Sequence, residues 1–335
     1  MAIINVTPTT DINTLIQSNN VSEGDVLLLE DGEYFQTINV TKNFIRIVAK
    51  SNNVVFNGKS MLVGAFNLID VSGVEIFGIS IMHYRGNGIF INGGSGNRIV
   101  DNRINSVLNN GISISSSHDN LIWKNEICNA GDGIFLGSGS TNNRIIENSV
   151  KECLDDGYET FFENDSNNVF ISNTAIDNGG YGLHIFGINN LLHNNILINN
   201  RLAGIHVNIG NNTVAINNIV NNSQFMGVRL LDHPNLFFGQ NRVVDNKFTG
   251  IGSLTRVDNG TFYNNTVMHN TDIGLILNIT TNSNFVYDNK FRCNIPFNIS
   301  NTGTNNTLLN NVDEPCKPCE LKFEDCNNDS LKPKV

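Results

Sequence analysis

The chain has 335 residues, 40% of them apolar and only 16% charged, with a formal net charge of -10. That balance supports a buried core and takes its polar surface from Asn, Ser, Thr and Gly. It speaks against nucleic acid, which needs a basic stripe to meet phosphate. No apolar run approaches the length of a membrane span, and "MAIINVTPTT" lacks the basic start and apolar core of a Sec-type signal peptide.

Near the N-terminus, "TDINTLIQ" at 10–17 offers Thr10 or Asp11 as an N-cap, with Ile12, Leu15 and Ile16 on one helical face. Such a helix would cover the open apolar end of the first rung. Residues 1–60 read as this cap plus irregular first rungs, 61–311 as a regular repeat, and 312–335 as a cysteine-bearing tail.

The repeat is carried by three ladders in step. A glycine recurs from Gly88 through Gly111, Gly133, Gly157, Gly182, Gly204, Gly227 and Gly250 to Gly274, at steps of 22–25 residues, and Pro296 takes the next place. One asparagine ladder runs from Asn97 to Asn305 and another from Asn102 to Asn311. Within a period the apolar residues alternate, which indicates short strands; helical spacings of three and four are absent. Asn and Gly suit the turns between them because both tolerate left-handed backbone angles. Equivalent strands of successive units then pair in parallel, about 4.8 Å apart, with right-handed crossovers. The expected buried ladder of one strand set is Ile104, Ile127, Val150, Ile176, Ile198, Ile219, Val243 and Val267.

On these "NGIxI…NN…I…N" units, from about 73 to 311, the sequence resembles the right-handed parallel β-helix family, the pectate-lyase-like fold. The resemblance implies an all-β, single right-handed parallel β-helix of about ten rungs with an N-terminal helical cap. It leaves the function open, because lyases, hydrolases, epimerases, tailspikes and adhesins share this fold.

Cys128, Cys153 and Cys293 read as small packing residues, with a Cys128–Cys153 bridge open. The tail cysteines Cys316, Cys319 and Cys326 suit a disulfide or intermolecular cross-linking better than zinc, which lacks a fourth ligand nearby. His118, His193 and His233 fall at turns and read as solvated.

Two places after each ladder glycine lies an outward position. It reads Phe90, Ser113, Phe135, Glu159, His184, His206, Arg229, then Gly252, Ile276 and Asn298. Just before the glycines stand Asn110, Asp132, Asp156, Tyr181, Ala203 and Met226; two places beyond the stripe come Phe161, Phe186 and Asn208. The middle rungs therefore gather carboxylates, imidazoles and a guanidinium bordered by aromatic rings. Such a patch suits a polysaccharide or surface glycan: rings stack on sugars, carboxylates act as acid or base, and Arg or His stabilises charge. The expected catalytic set is Asp132, Asp156, Glu159, His184, His206 and Arg229. The expected substrate contacts are Tyr181, Phe161, Phe186 and Asn208. Carboxylates on adjacent rungs suggest glycoside-hydrolase separations.

The order Asp132, Asp155–Asp156, His184, Arg229 is similar to the NTD, DD, GHG and RIK motifs of polygalacturonases, although His184 is not flanked by glycines and no lysine follows Arg229 by two places. The Tyr, His and Asp mixture also resembles β-helix uronan epimerases, without their Tyr-Gly-Phe-Asp-Pro-His signature. No motif demands a cofactor; Ca²⁺ is admitted by the acidic residues alone. The competing reading is a non-enzymatic component of a spore, phage or cell surface, to which a plain repeat and a cysteine-bearing tail also point. Both readings favour a location outside the cell or on a particle over the cytoplasm.

Overall fold

Each short strand pairs in parallel with its equivalent one turn later: Ile89 lies opposite Ile112, Ile112 opposite Ile134, and Ile134 opposite Tyr158. This is a computed structural model, and it describes residues 1–316. Repetition of the pairing builds three parallel sheets of 14, 13 and 12 strands that close around one apolar core. The first sheet opens with Ile3–Val6, the second with Gly32–Tyr34 and the third with Ile38–Val40. The solenoid is thus longer than the ten rungs expected. The glycine ladder starts only at Gly88, whereas four strands of the first sheet, from Ile3–Val6 to Glu75–Phe77, precede it without the motif.

A six-residue helix, Ile12–Gln17, packs on Ile38–Val40, the terminal strand of the third sheet. Asp11 caps it by accepting from Thr14 N–H at 3.1 Å, and Ile12 and Ile16 enter the core. Asn13 ties it to the sheet, donating to the Thr37 carbonyl at 2.7 Å and accepting from Asn39 N–H at 2.8 Å.

In the second sheet the inward column runs Ile104, Ile127, Val150, Ala175, Leu197, Val220, Val243, Val267. Ile176, Ile198 and Ile219, expected inside, face outward; Ile219 is 37% exposed. The cause is local. In Ile196–Leu197–Ile198 all three side chains are apolar, so alternation gives no register, and the neighbouring rung decides which one enters the core.

The asparagine ladder from Asn102 to Asn311 is buried up to Asn289 and satisfies the backbone at each turn. Asn125 Oδ1 accepts from Asn102 N–H at 3.0 Å, Asn148 Oδ1 from Asn125 N–H at 2.9 Å, and so on upward. The left-handed angle falls on the residue before each ladder asparagine, such as Lys124 (φ 56) and Glu147 (φ 52), rather than on the asparagine itself. The other ladder holds from Asn97 to Asn190 and then slips. Asn212, Asn235 and Asn259 take the left-handed position, and Thr213, Leu236 and Gly260 occupy the buried place after them.

Cys293 and Cys316 form a disulfide across successive turns, so Cys293 is not a lone packing residue and Cys316 is paired within the chain rather than with a partner. Cys128 and Cys153 are free thiols. Cys319 and Cys326 lie outside the described residues. Among the described residues no helix is long and apolar enough to cross a membrane.

Candidate functional site

The outer face of the third sheet carries the stripe in the expected order. Phe135 pairs with Glu159, Glu159 with His184, His184 with His206, and His206 with Arg229, followed by Gly252 and Ile276. The next place belongs to Ser300, not Asn298; Asn298 turns inward, where its Oδ1 accepts from Asn294 N–H at 3.1 Å.

His184 is the centre of a charge cluster. Its Nδ1 lies 2.9 Å from Asp156 Oδ2 and 3.2 Å from Glu159 Oε1. Burial works against the imidazolium, but the bonds to Asp156 and Glu159 outweigh it and raise the His184 pKa to about 9. Burial raises Glu159 above the usual carboxylate range, and its bond to His184 opposes that rise. Asp156 is 3% exposed and its other oxygen accepts from Tyr181 N–H. One rung earlier, Asp132 Oδ1 accepts from Asp156 N–H at 3.0 Å. These aspartates therefore repeat the backbone service of the asparagine ladders while keeping an ionisable oxygen. Burial, reinforced by the charges of Glu159, Asp156 and Asp155, lifts Asp132 to about 7.

His206 stacks on His184 with ring centroids 4.7 Å apart and planes 11° from parallel. It is buried, and neither ring nitrogen has a partner among the described residues. Burial, with the charges of His184 and Arg229, depresses its pKa to about 2, so it stays neutral. Tyr181 leans against both rings, 4.7 Å from His184 and 4.5 Å from His206, and its hydroxyl accepts from Arg229 Nη1 at 2.9 Å. Asp132, Asp156, Glu159, His184, His206, Tyr181 and Arg229 thus form one connected group.

An aromatic strip borders it. Phe161, 47% exposed, lies 6.0 Å from Phe135 and 6.1 Å from Phe186, and Phe186 lies 4.9 Å from His184. Asn208 stands two residues beyond His206, its Oδ1 accepting from Ile209 N–H at 3.0 Å. Phe135 belongs to the strip, a part that its place in the stripe did not by itself announce. His233, expected at the surface, is fully buried: its Nε2 accepts from Thr213 N–H at 3.3 Å, and burial lowers its pKa to about 4. Nothing in the local sequence separates it from the exposed His118.

Asp156, Glu159 and His184 bring donor atoms within 4.8 Å of one another, as do Asp132, Asp155 and Asp156, so either trio offers ligands to a cation.

Several comparisons bear on this arrangement. No curated protein matches the sequence. Among solved structures, the A-module of an Azotobacter vinelandii mannuronan C-5 epimerase superposes with a TM-score of 0.70 at 15% identity, covering 92% of this chain and 94% of that one. A periplasmic alginate epimerase mutant gives 0.63 at 14% identity over 92% and 83% of the two chains. The catalytic domain of a GH87 α-1,3-glucanase gives 0.57 at 15% identity over 95% and 66%. At these identities the likeness concerns the fold. The family described as "Right handed beta helix region" matches residues 4–187 and 87–248, most of the chain. The chain belongs to the right-handed β-helix family.

Proposed function

We propose that the chain binds a glycan on the outer face of its third sheet and that the cluster around His184 supplies acid–base chemistry to the bound sugar. The observation that carries this reading is the contact of one imidazole with two carboxylates beside an exposed aromatic strip. Buried ion pairs are costly, and perturbed ionisable groups concentrate at functional sites. The structural neighbours named as epimerases and as a glucanase point the same way.

Each residue has a role in this reading. Asp132, with a pKa of about 7, exchanges a proton near neutrality. His184, held cationic by Asp156 and Glu159, stabilises negative charge that develops on the sugar. Arg229, anchored by Tyr181, orients an oxygen of the substrate. Phe161 and Phe186 stack on ring faces. His206, neutral and buried, spaces the two cations instead of carrying protons. The Cys293–Cys316 disulfide fits an oxidising location, outside the cell or on a particle.

A second reading, binding without turnover, is favoured by the burial of Asp156 and Glu159, 3% and 8% exposed. The test screens mannuronan, galacturonan and α-1,3-glucan for binding and for products, with wild type, Asp132→Asn and His184→Ala. Turnover lost in both variants with binding kept supports the enzyme. Binding without products in wild type supports the adhesin. Absence of binding to every glycan refutes both.

A further inference from the structure

We infer that the glycan site extends across the third sheet to a second subsite, so that its occupant is an oligosaccharide rather than a single sugar; this rests on the glycan reading above. The strand Leu183–Ile188 sets out the path. His184, Phe186 and Ile188 alternate on its outer face, belonging in turn to the charge cluster, the aromatic strip and the wall of a separate cavity. Four residues of extended strand span at most about 13 Å, and the bend at Gly187 (φ 94) shortens the path from His184 to Ile188.

The cavity has a volume of about 440 Å³. Ile209 and Pro234 give it apolar surface; Asn211, Asp232, Arg256 and Asp258 give it polar groups of both kinds. That mixture matches a sugar, with an apolar ring face and hydroxyls at its edge. Arg256 Nε donates to Asp232 at 2.7 Å, which leaves the terminal guanidinium nitrogens facing outward on a side chain 71% exposed.

The backbone is shaped around the same place. Register shifts interrupt the pairing between Ile185 and Gly187 and again between Leu230 and Leu231. Bulges of this kind re-aim side chains beside binding sites. Ile209 and Arg256 hold positive φ of 24° and 40°, unfavourable for side-chain-bearing residues and costly for a β-branched one. At Gly210, which lines the cavity, a Cβ would overlap the carbonyl oxygen of its strand partner Gly187, so no larger residue fits. Asp232 orients Arg256, and Asp258 offers an acceptor to a sugar hydroxyl beside the apolar wall and the cationic Arg256.

The test is titration calorimetry with size-fractionated mannuronan, galacturonan and α-1,3-glucan oligosaccharides, from di- to octasaccharide. Wild type is compared with Arg256→Gln and Asp258→Asn, two surface changes whose folding is checked by melting. The expected result is tighter binding of longer chains to wild type, an advantage of about tenfold that both variants lose while short chains bind unchanged. Affinity independent of length in wild type, or variants that weaken short and long chains alike, overturns the second subsite and leaves the glycan reading intact. If no oligosaccharide of any length binds, the glycan reading itself has failed.

Discussion

His184 Nδ1 and Asp156 Oδ2 meet at 2.9 Å although 28 residues separate them in the chain. Only the stacking of one turn on the next brings them together, and Glu159 completes the pair from the same strand as its neighbour Tyr158. The first prediction rests on this contact. Asp156→Asn removes the charge that most favours the imidazolium while burial continues to oppose it, so the His184 pKa falls from about 9 by about 1–3 units. An NMR titration of the imidazole reads it. Titration still near 9 in the variant would show that Asp156 is not the partner that matters.

Stability should depend on pH through groups of opposite sign. His184 has a folded pKa above the ordinary 6.5, so its contribution is complete below 6.5 and is lost as pH rises through about 9. His233 has a folded pKa of about 4, so its contribution is present above 6.5 and is lost as pH falls toward 4. Asp132, lifted to about 7, adds stability over part of the same acid range, in wild type and in a His233 variant alike. The difference between wild type and His233→Gln isolates the histidine. It should shrink by about 3 kcal/mol between pH 7 and 4, measured by urea unfolding at each pH. A difference that does not change with pH would mean that His233 titrates normally.

The fold was legible because the repeat states the same instruction many times. Glycine and asparagine ladders in step over more than 200 residues admit few alternatives. Register was less legible where a strand is apolar on both faces. Ile196–Leu197–Ile198 carries no alternation, and the doubled asparagines at 211–212 leave the turn position open by one residue. The stripe from Glu159 to Arg229 was readable because outward positions in a solenoid are columns fixed by the period. The cavity at Ile209 was not, because it depends on bulges and an extended strand, Ala203–Asn211, which break the period.

The corrected register gives a direct contrast. Leu197→Ala should cost about 2–5 kcal/mol by opening a core cavity, and Ile198→Ala about 1 kcal/mol or less, since Ile198 faces outward. Denaturant midpoints of the two variants decide it. Equal costs would restore Ile198 to the core.

Within the asparagine ladder, Asn148 is 1% exposed, accepts from Asn125 N–H at 2.9 Å and donates to the Ile122 carbonyl at 2.9 Å. Asn148→Ala leaves the buried Asn125 N–H unsatisfied, at about 1–3 kcal/mol, and removes the side-chain donor from the Ile122 carbonyl. Asn148→Asp keeps the acceptor and loses the donor, and it adds a buried charge. Both variants should therefore melt below wild type, with amide exchange accelerated first in the turns beside residue 148. Uniform acceleration along the solenoid would contradict the nearest-neighbour stability expected of stacked turns.

The Cys293–Cys316 disulfide ties the last described turn to the one before it, across a sequence separation of 23. The final strands of this turn, Thr307–Leu309 and Val312–Glu314, are exposed along their whole length. They receive little burial energy of their own, so the covalent link supplies much of what holds them. Closing a loop of this size removes about 3 kcal/mol of chain entropy from the unfolded state. Reduction, or Cys293→Ser, should raise amide exchange across residues 294–316 and leave exchange around Glu159 and His184 unchanged, because coupling between turns decays along a solenoid. Hydrogen exchange with and without reductant reads both regions in one experiment. Loosening that reached His184 would mean that the chain unfolds as one cooperative unit, and unchanged exchange at the end would mean that the strand pairing alone secures the last turn.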